Sequence, residues 1–134
     1  MIISINFESD IPIYQQLKDQ IIIGIAKGLL KKGEPLPSVR RMAADIGINM
    51  HTANKAYSML KDDQYIVMDR RTGACVSNEL PDMAKSPDRA GIRRSIADKI
   101  LPIAAGAACR GMSPEEFGNL CIEIMLSFEK EGKS

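Results

Sequence analysis

The groups best suited to chemistry in this 134-residue chain are cationic, amide and hydroxyl side chains gathered in three short stretches. Arg40 and Arg41 form the first. Asn49, Met50, His51, Thr52, Asn54 and Lys55 belong to the second, and Arg70, Arg71, Thr72 and Gly73 to the third. Guanidinium and ammonium groups hold phosphate oxygens, while amides and hydroxyls read the hydrogen-bonding edges of bases. The set suits recognition of a nucleic acid better than bond-making. Covalent chemistry finds few footholds: the one histidine leaves little acid–base choice, and there is no Gly-rich phosphate loop. Glu115 and Glu116 read as helix-start residues, and Asp98 and Lys99 as a solvated face, so no catalytic residue is assigned. Cys75, Cys109 and Cys121 are odd in number and widely spaced, and with His51 they cannot complete a tetrahedral zinc site unless carboxylates join. They read as reduced thiols. Neither metal nor cofactor is expected.

The elements that must hold these groups follow from apolar spacing and punctuation. Pro12 at a first turn, then Ile13, Leu17, Ile21 and Ile25 at a four-residue step, predict a helix, with Asp10 available to cap or charge its start. Gly28 and Gly33 bracket its end. Leu36-Pro37 forces an extended backbone. Ser38 is placed to cap a second helix whose buried face is Val39, Met42, Ala43 and Ile46, and Gly47 suits the left-handed position that ends it. Ile48 turns inward, Asn49 caps a third helix, and Ala53, Ala56, Tyr57 and Leu60 repeat at three and four. Helix, short Gly-containing turn, helix is a helix-turn-helix. Tyr65–Met68 and Ala74–Val76 then read as two strands joined by a turn near Thr72-Gly73, a β-wing carrying two arginines. Within this plan Arg40 opens the second helix, and the Asn49–Lys55 stretch is the first turns of the third, where recognition helices meet base edges. Asn49 has a competing structural job as the cap. For Arg40 the bland alternative is an ion pair with Glu34 or Asp45.

A polar stretch, residues 78–88, reads as a linker. Beyond it, Ile92, Ile96, Ile100 and Ile103 fall on one helix face, with Pro102 expected to kink or shift the helix near its middle. Ser113-Pro114-Glu115-Glu116 is a capping box with Pro at the first helical position. Phe117, Leu120, Cys121, Ile124, Met125 and Phe128 form an apolar stripe after it. Two such helices are too small a unit to bury these faces on each other alone, so a dimerisation arm is expected. The fold class is therefore mostly α with a small β-wing. The expected organisation is a winged helix-turn-helix over residues 1–77, a linker over 78–88, and a two-helix arm over 89–134.

Charge argues for arrangement over bulk attraction. The formal net charge is +1, with 10 basic against 9 acidic side chains in residues 1–80 and 8 against 8 beyond. A basic footprint must come from placement, or from two copies acting together. No apolar run reaches the ~18–20 residues of a membrane span, and the first residues lack a signal-peptide pattern. A cytoplasmic protein with no membrane partner is expected.

The residues Pro12-Ile13-Tyr14-Gln15-Gln16, Gly33-Glu34-Pro35-Leu36-Pro37-Ser38-Val39-Arg40 and Asn49 through Tyr57 resemble the GntR family of bacterial transcription regulators. The short two-helix C-terminal part is similar to its YtrA subfamily. The motifs cover roughly residues 10–77; residues 88–131 match by size and helical plan. The resemblance implies a homodimer that binds a double-stranded inverted-repeat operator, usually as a repressor of nearby genes, often genes for transporters. Any small-molecule effector would sit at a dimer interface or between arm and head. Two departures stand out. Arg71 and Cys75 replace a glycine and an aromatic residue usual in the family's wing, and Met50 stands where relatives often have Pro or a basic residue. Met50 leaves base preference at that point open, while the near-neutral charge and altered wing keep open a winged-helix adaptor that binds proteins with weak or no DNA binding. A redox sensor built on the cysteines has only the thiols in its favour.

Overall fold

Seven elements follow one another along the chain: α1 (Ile13–Ala26), α2 (Val39–Ile46), α3 (Met50–Asp62), β1 (Ile66–Asp69), β2 (Gly73–Val76), α4 (Arg89–Cys109) and α5 (Pro114–Gly132). The computed structural model describes residues 3–80 and 82–132, with side chains described as far as Glu129; the first two residues of the expected head and the last two of the expected arm lie outside. Mostly helical with one small antiparallel sheet, it has the expected fold class. Residues up to Leu80 form one compact unit, the head, and those from Asp82 to Lys130 a second, the arm.

In the head, α3 packs on α1, α2 and β1. Leu17 and Ile21 of α1, Met42 and Ala43 of α2, Ala53, Ala56, Tyr57 and Leu60 of α3, and Ile66, Ala74 and Val76 of the hairpin meet in one core, closed by Leu30 and Leu36. The helix stripes read from the sequence are its walls, with Ile25, Val39, Ile46 and Ile48 packed at its margin and Ile13 half-buried.

Local signals set the helix ends. Ser38 Oγ accepts the N–H of Arg41 at 3.1 Å, Asn49 Oδ1 accepts that of His51 at 2.7 Å, and Gly47 is left-handed (φ 72°) where α2 stops. At the end of α1 the Gly28 N–H bonds to Ile25 C=O and the Leu29 N–H to Gly24 C=O, a Schellman closure that needs the positive φ of Gly28. The same closure ends α3 with Gln64 at φ 68°, a left-handed conformation unfavourable by about 1–2 kcal/mol for a residue with a Cβ. The start of α1 departs from expectation. Pro12 occupies the cap position, no side chain caps the helix, and Asp10 takes no part. Instead the Gln16 amide accepts from Asn6 N–H and donates to Asn6 and Ile11 carbonyls, while Gln20 exchanges two hydrogen bonds with Ser4. These amides act like a pairing strand for the segment before α1.

The wing has a third edge. β1 and β2 pair in the register Ile66↔Val76 to Asp69↔Gly73, and residues 33–36 run along the other side of β2. There Gly33 N–H donates to Val76 C=O, Val76 N–H to Glu34 C=O, and Leu36 N–H to Ala74 C=O. The backbone at Gly33 has φ 76°, which favours glycine, and a Cβ there would also displace the Asn78 amide, whose Oδ1 would lie 2.7 Å away.

The arm is built differently. Asp88 caps α4 by accepting the Gly91 N–H, and α4 continues through Pro102 as one helix. Ser113 caps α5 by accepting the Glu116 N–H, but the Glu116 carboxylate meets the Ser113 hydroxyl and not its N–H, so only half of the capping box forms. α4 and α5 do not pack along their lengths, and α4 has no buried residue.

Candidate nucleic-acid interface

α3 carries its polar groups outward because its other side is committed to the core. Ala53, Ala56, Tyr57 and Leu60 are buried, whereas Met50, His51, Asn54, Lys55 and Ser58 are exposed and Thr52 is half-buried. At 100° per residue, the exposed set covers one side of the helix from its first turn onward. Ser58, not singled out in the sequence, belongs to that side one turn after Asn54; the i, i+4 spacing was the signal for it.

Two contacts fix this helix against its neighbours. Tyr57 Oη donates to the Pro37 carbonyl at 2.7 Å, pinning the middle of α3 to the residue before the Ser38 cap. Burial of the Tyr57 ring pushes its hydroxyl pKa up to about 12, so it stays a donor throughout the neutral range. The Lys55 ammonium lies 4.0 Å from the centroid of the Tyr14 ring of α1, a cation–π contact of about 0.5–1 kcal/mol at an exposed site. Its position at the α1 edge of the exposed side leaves His51, Asn54 and Ser58 at the centre.

Arg40 and Arg41 both sit in the first turn of α2 and are exposed, yet their surroundings differ. Arg41 Nε lies 3.3 Å from Asp45 Oδ2 one turn on, an exposed pair contributing about 0–1 kcal/mol. Arg40 makes no ion pair among the described residues. The carboxylates that could have held it are engaged elsewhere: Asp45 with Arg41, and Glu34 with the Lys31 N–H. Asn49 Oδ1 is taken by its capping bond.

The wing tip is Arg70-Arg71-Thr72, exposed throughout. Asp69 Oδ1 accepts the Arg71 N–H at 2.7 Å and tightens the turn, and Gly73 supplies the positive φ (74°) that returns the chain to β2. Arg71 stands in an ordinary negative-φ conformation, so the turn forms without the glycine usual at that point in the wing. Cys75 Sγ, half-buried on β2, lies 3.7 Å from Thr72 Oγ1. No group of three or more His, Cys, Asp or Glu able to hold a metal exists among the described residues.

All the residues proposed from sequence to contact DNA lie in the head; those proposed to pair two copies lie in the arm. Of the latter, Ile103, Phe117 and Leu120 line an open cleft of about 400 Å³ where α4 and α5 join. Ile96, Ile100, Ile124 and Met125 are exposed, with Ile92, Cys121 and Phe128 half-buried. Leu101, Ile122 and Leu126 are also exposed, outside the stripes read from the sequence.

Comparison with known proteins places this architecture. The profile of the bacterial regulatory proteins of the gntR family matches residues 13–76. The HTH-type transcriptional repressor YtrA of Bacillus subtilis is 38% identical over 122 residues, 91% of each chain. The chain belongs to the GntR family. Its members and the relatives of this chain are transcriptional regulators and not enzymes. YtrA from Sulfolobus acidocaldarius, a GntR-family transcription factor, superimposes with a TM-score of 0.56 at 38% identity over 91% of this chain and 95% of its own. A transcriptional antiterminator from Listeria monocytogenes gives a TM-score of 0.77 at 29% identity over 92% and 90%. Other relatives are far longer: the chain spans 16% of the uncharacterized regulator YdcR of Escherichia coli, at 35% identity over 74 residues, 55% of this chain. No described helix is long and apolar enough to cross a membrane.

Proposed function

We propose that this GntR-family chain is a cytoplasmic, homodimeric repressor that reads an inverted-repeat operator near the genes it controls, transporter genes among them. The observation that carries the reading is α3, a helix locked from behind by the core and by Tyr57–Pro37, with its first turns and outer side polar and exposed. His51, Asn54 and Ser58 face the bases, with Met50 and Thr52 beside them. Arg40, Arg41, Lys55 and the wing residues Arg70, Arg71, Thr72 and Gly73 meet phosphates or the minor groove, and Asn49 acts mainly as the cap. The 91% coverage of a named repressor supports the choice of repressor. Residues 1–77 then form the reading head, 78–88 the linker and 89–134 the dimer arm, held together by Ile92, Ile96, Ile100, Ile103, Phe117, Leu120, Cys121, Ile124, Met125 and Phe128. An effector, where one acts, would bind at the dimer interface or between arm and head.

The test is fluorescence anisotropy on the DNA upstream of the chain's own gene across a salt series, with Arg40→Ala alongside. Tight binding that weakens steeply with salt, and falls by about tenfold in the variant, is the expected result. Weak binding, equal in both proteins, would sink this reading and favour the adaptor, which the net charge of +1 otherwise supports.

A further inference from the structure

We infer that the first turns of α4 form a second phosphate-binding surface, on which Arg89, Arg93 and Arg94 hold the DNA backbone outside the bases read by the head. This rests on the DNA-binding reading above and extends it to arginines that reading gives no role, at the start of the helix whose Ile92, Ile96, Ile100 and Ile103 it assigns to the dimer arm. The three arginines are exposed, and none makes an ion pair among the described residues. Asp88, beside Arg89, is occupied as the helix cap, accepting the Gly91 N–H at 3.2 Å, and Asp98, one turn beyond Arg94, makes no ion pair among the described residues. Gly91 has no side chain to keep that carboxylate from lying over the first turn.

Helix stability does not explain these residues. Arg89, in the first turn, opposes the helix dipole by about 0.3–1 kcal/mol, an effect that falls off before Arg93 and Arg94 in the second turn. Arg89 and Arg93, four apart on one face, repel one another by a few tenths of a kcal/mol more. Three unpaired guanidinium groups, one against the helix dipole and two repelling each other, fit an external polyanion. Guanidinium forks match phosphate oxygens in geometry as well as charge. The chain also confines them: residues 77–88 tether Arg89 to the end of β2, a reach of about 40 Å at full extension. That is comparable to the ~34–36 Å between operator half-sites. The head has a surplus of one positive charge over residues 1–80, so a regulator built on it gains most from cations elsewhere.

The test uses the full chain and a duplex it selects from a random-sequence pool. The variant is Arg89→Gln/Arg93→Gln/Arg94→Gln, with the corresponding triple Lys variant as rescue and sedimentation as the check on assembly. Phosphate contacts position a protein without specifying sequence. The Gln variant is therefore expected to select the same duplex, to bind it about tenfold or more weakly at low salt, and to show a log–log salt slope shallower by about 2–3 per chain. The Lys variant is expected to recover most of the slope. An unchanged slope would overturn the inference. So would a slope change accompanied by loss of assembly, which would assign the arginines to carboxylates of a second copy. Failure of the unmodified chain to select any duplex would instead overturn the regulator reading, and this inference with it.

Discussion

The head and the arm spend similar apolar sequence in opposite ways. Leu17, Ile21, Ala53, Ala56, Leu60 and Val76 of the head are fully buried. In the arm Leu101 and Met125 are 68% and 65% exposed, and Ile96, Ile100, Ile122 and Ile124 remain exposed beside them. Three helices and a hairpin around one centre can remove each other's apolar faces from water; two helices meeting only near their junction cannot. At about 25 cal/mol per Å² of apolar surface, the unburied stripes represent a large drive toward association. The contrast supports assigning recognition to the head and self-association to the arm.

Truncation in each region separates the two. Leu60→Ala is expected to destabilise the head by about 2–5 kcal/mol, because its cavity opens in a core that cannot collapse to fill it. Urea denaturation checks this, and a loss below about 1 kcal/mol would show that the head is not close-packed there. Ile124→Asp addresses the arm. It is expected to weaken self-association by about a hundredfold or more while leaving the head's urea transition in place, since a buried charge is prohibitive only once a second copy covers it. Sedimentation reads the first part; an intact dimer would remove α5 from the interface. The smallest effect concerns a single hydrogen bond. Tyr57→Phe is expected to lower stability by about 1 kcal/mol at neutral pH, through loss of the bond to Pro37 C=O. Its pH dependence has a definite sign. The folded hydroxyl titrates near 12 against 10.0 for an unperturbed tyrosine. Its stabilisation is therefore whole below pH 10 and lost as pH rises through 12. The gap between the parent chain and Tyr57→Phe should narrow from about pH 8 to about pH 11; a constant gap would refute the burial of that hydroxyl.

Much of the head was legible because its signals are local. The Ser38 and Asn49 caps, the left-handed Gly47 and the three- and four-residue apolar steps act within one helical turn, so neighbours in sequence suffice to read them. Asp10 misled for a related reason: a capping residue is recognised by type, but whether it reaches the helix depends on the path of the preceding segment, here set by Gln16 and Gln20. Gln64 could not be read either, since nothing in its type announces a left-handed backbone. In the arm, periodicity gave the helices and their stripes but missed Leu101, Ile122 and Leu126, which fall outside a single face.

The sequence by itself determined the order of the elements, both ends of α2 and the start of α3, the polar outer side of α3 and the family to which they belong, because each depends on residue type at short spacing. Only the tertiary structure decided the contacts that join distant segments. Residues 33–36 along β2, the Tyr57 bond to Pro37 and the Lys55 ammonium over Tyr14 are choices among several chemically acceptable partners. Composition leaves those partners equivalent, and the packed core distinguishes them by bringing only one within reach.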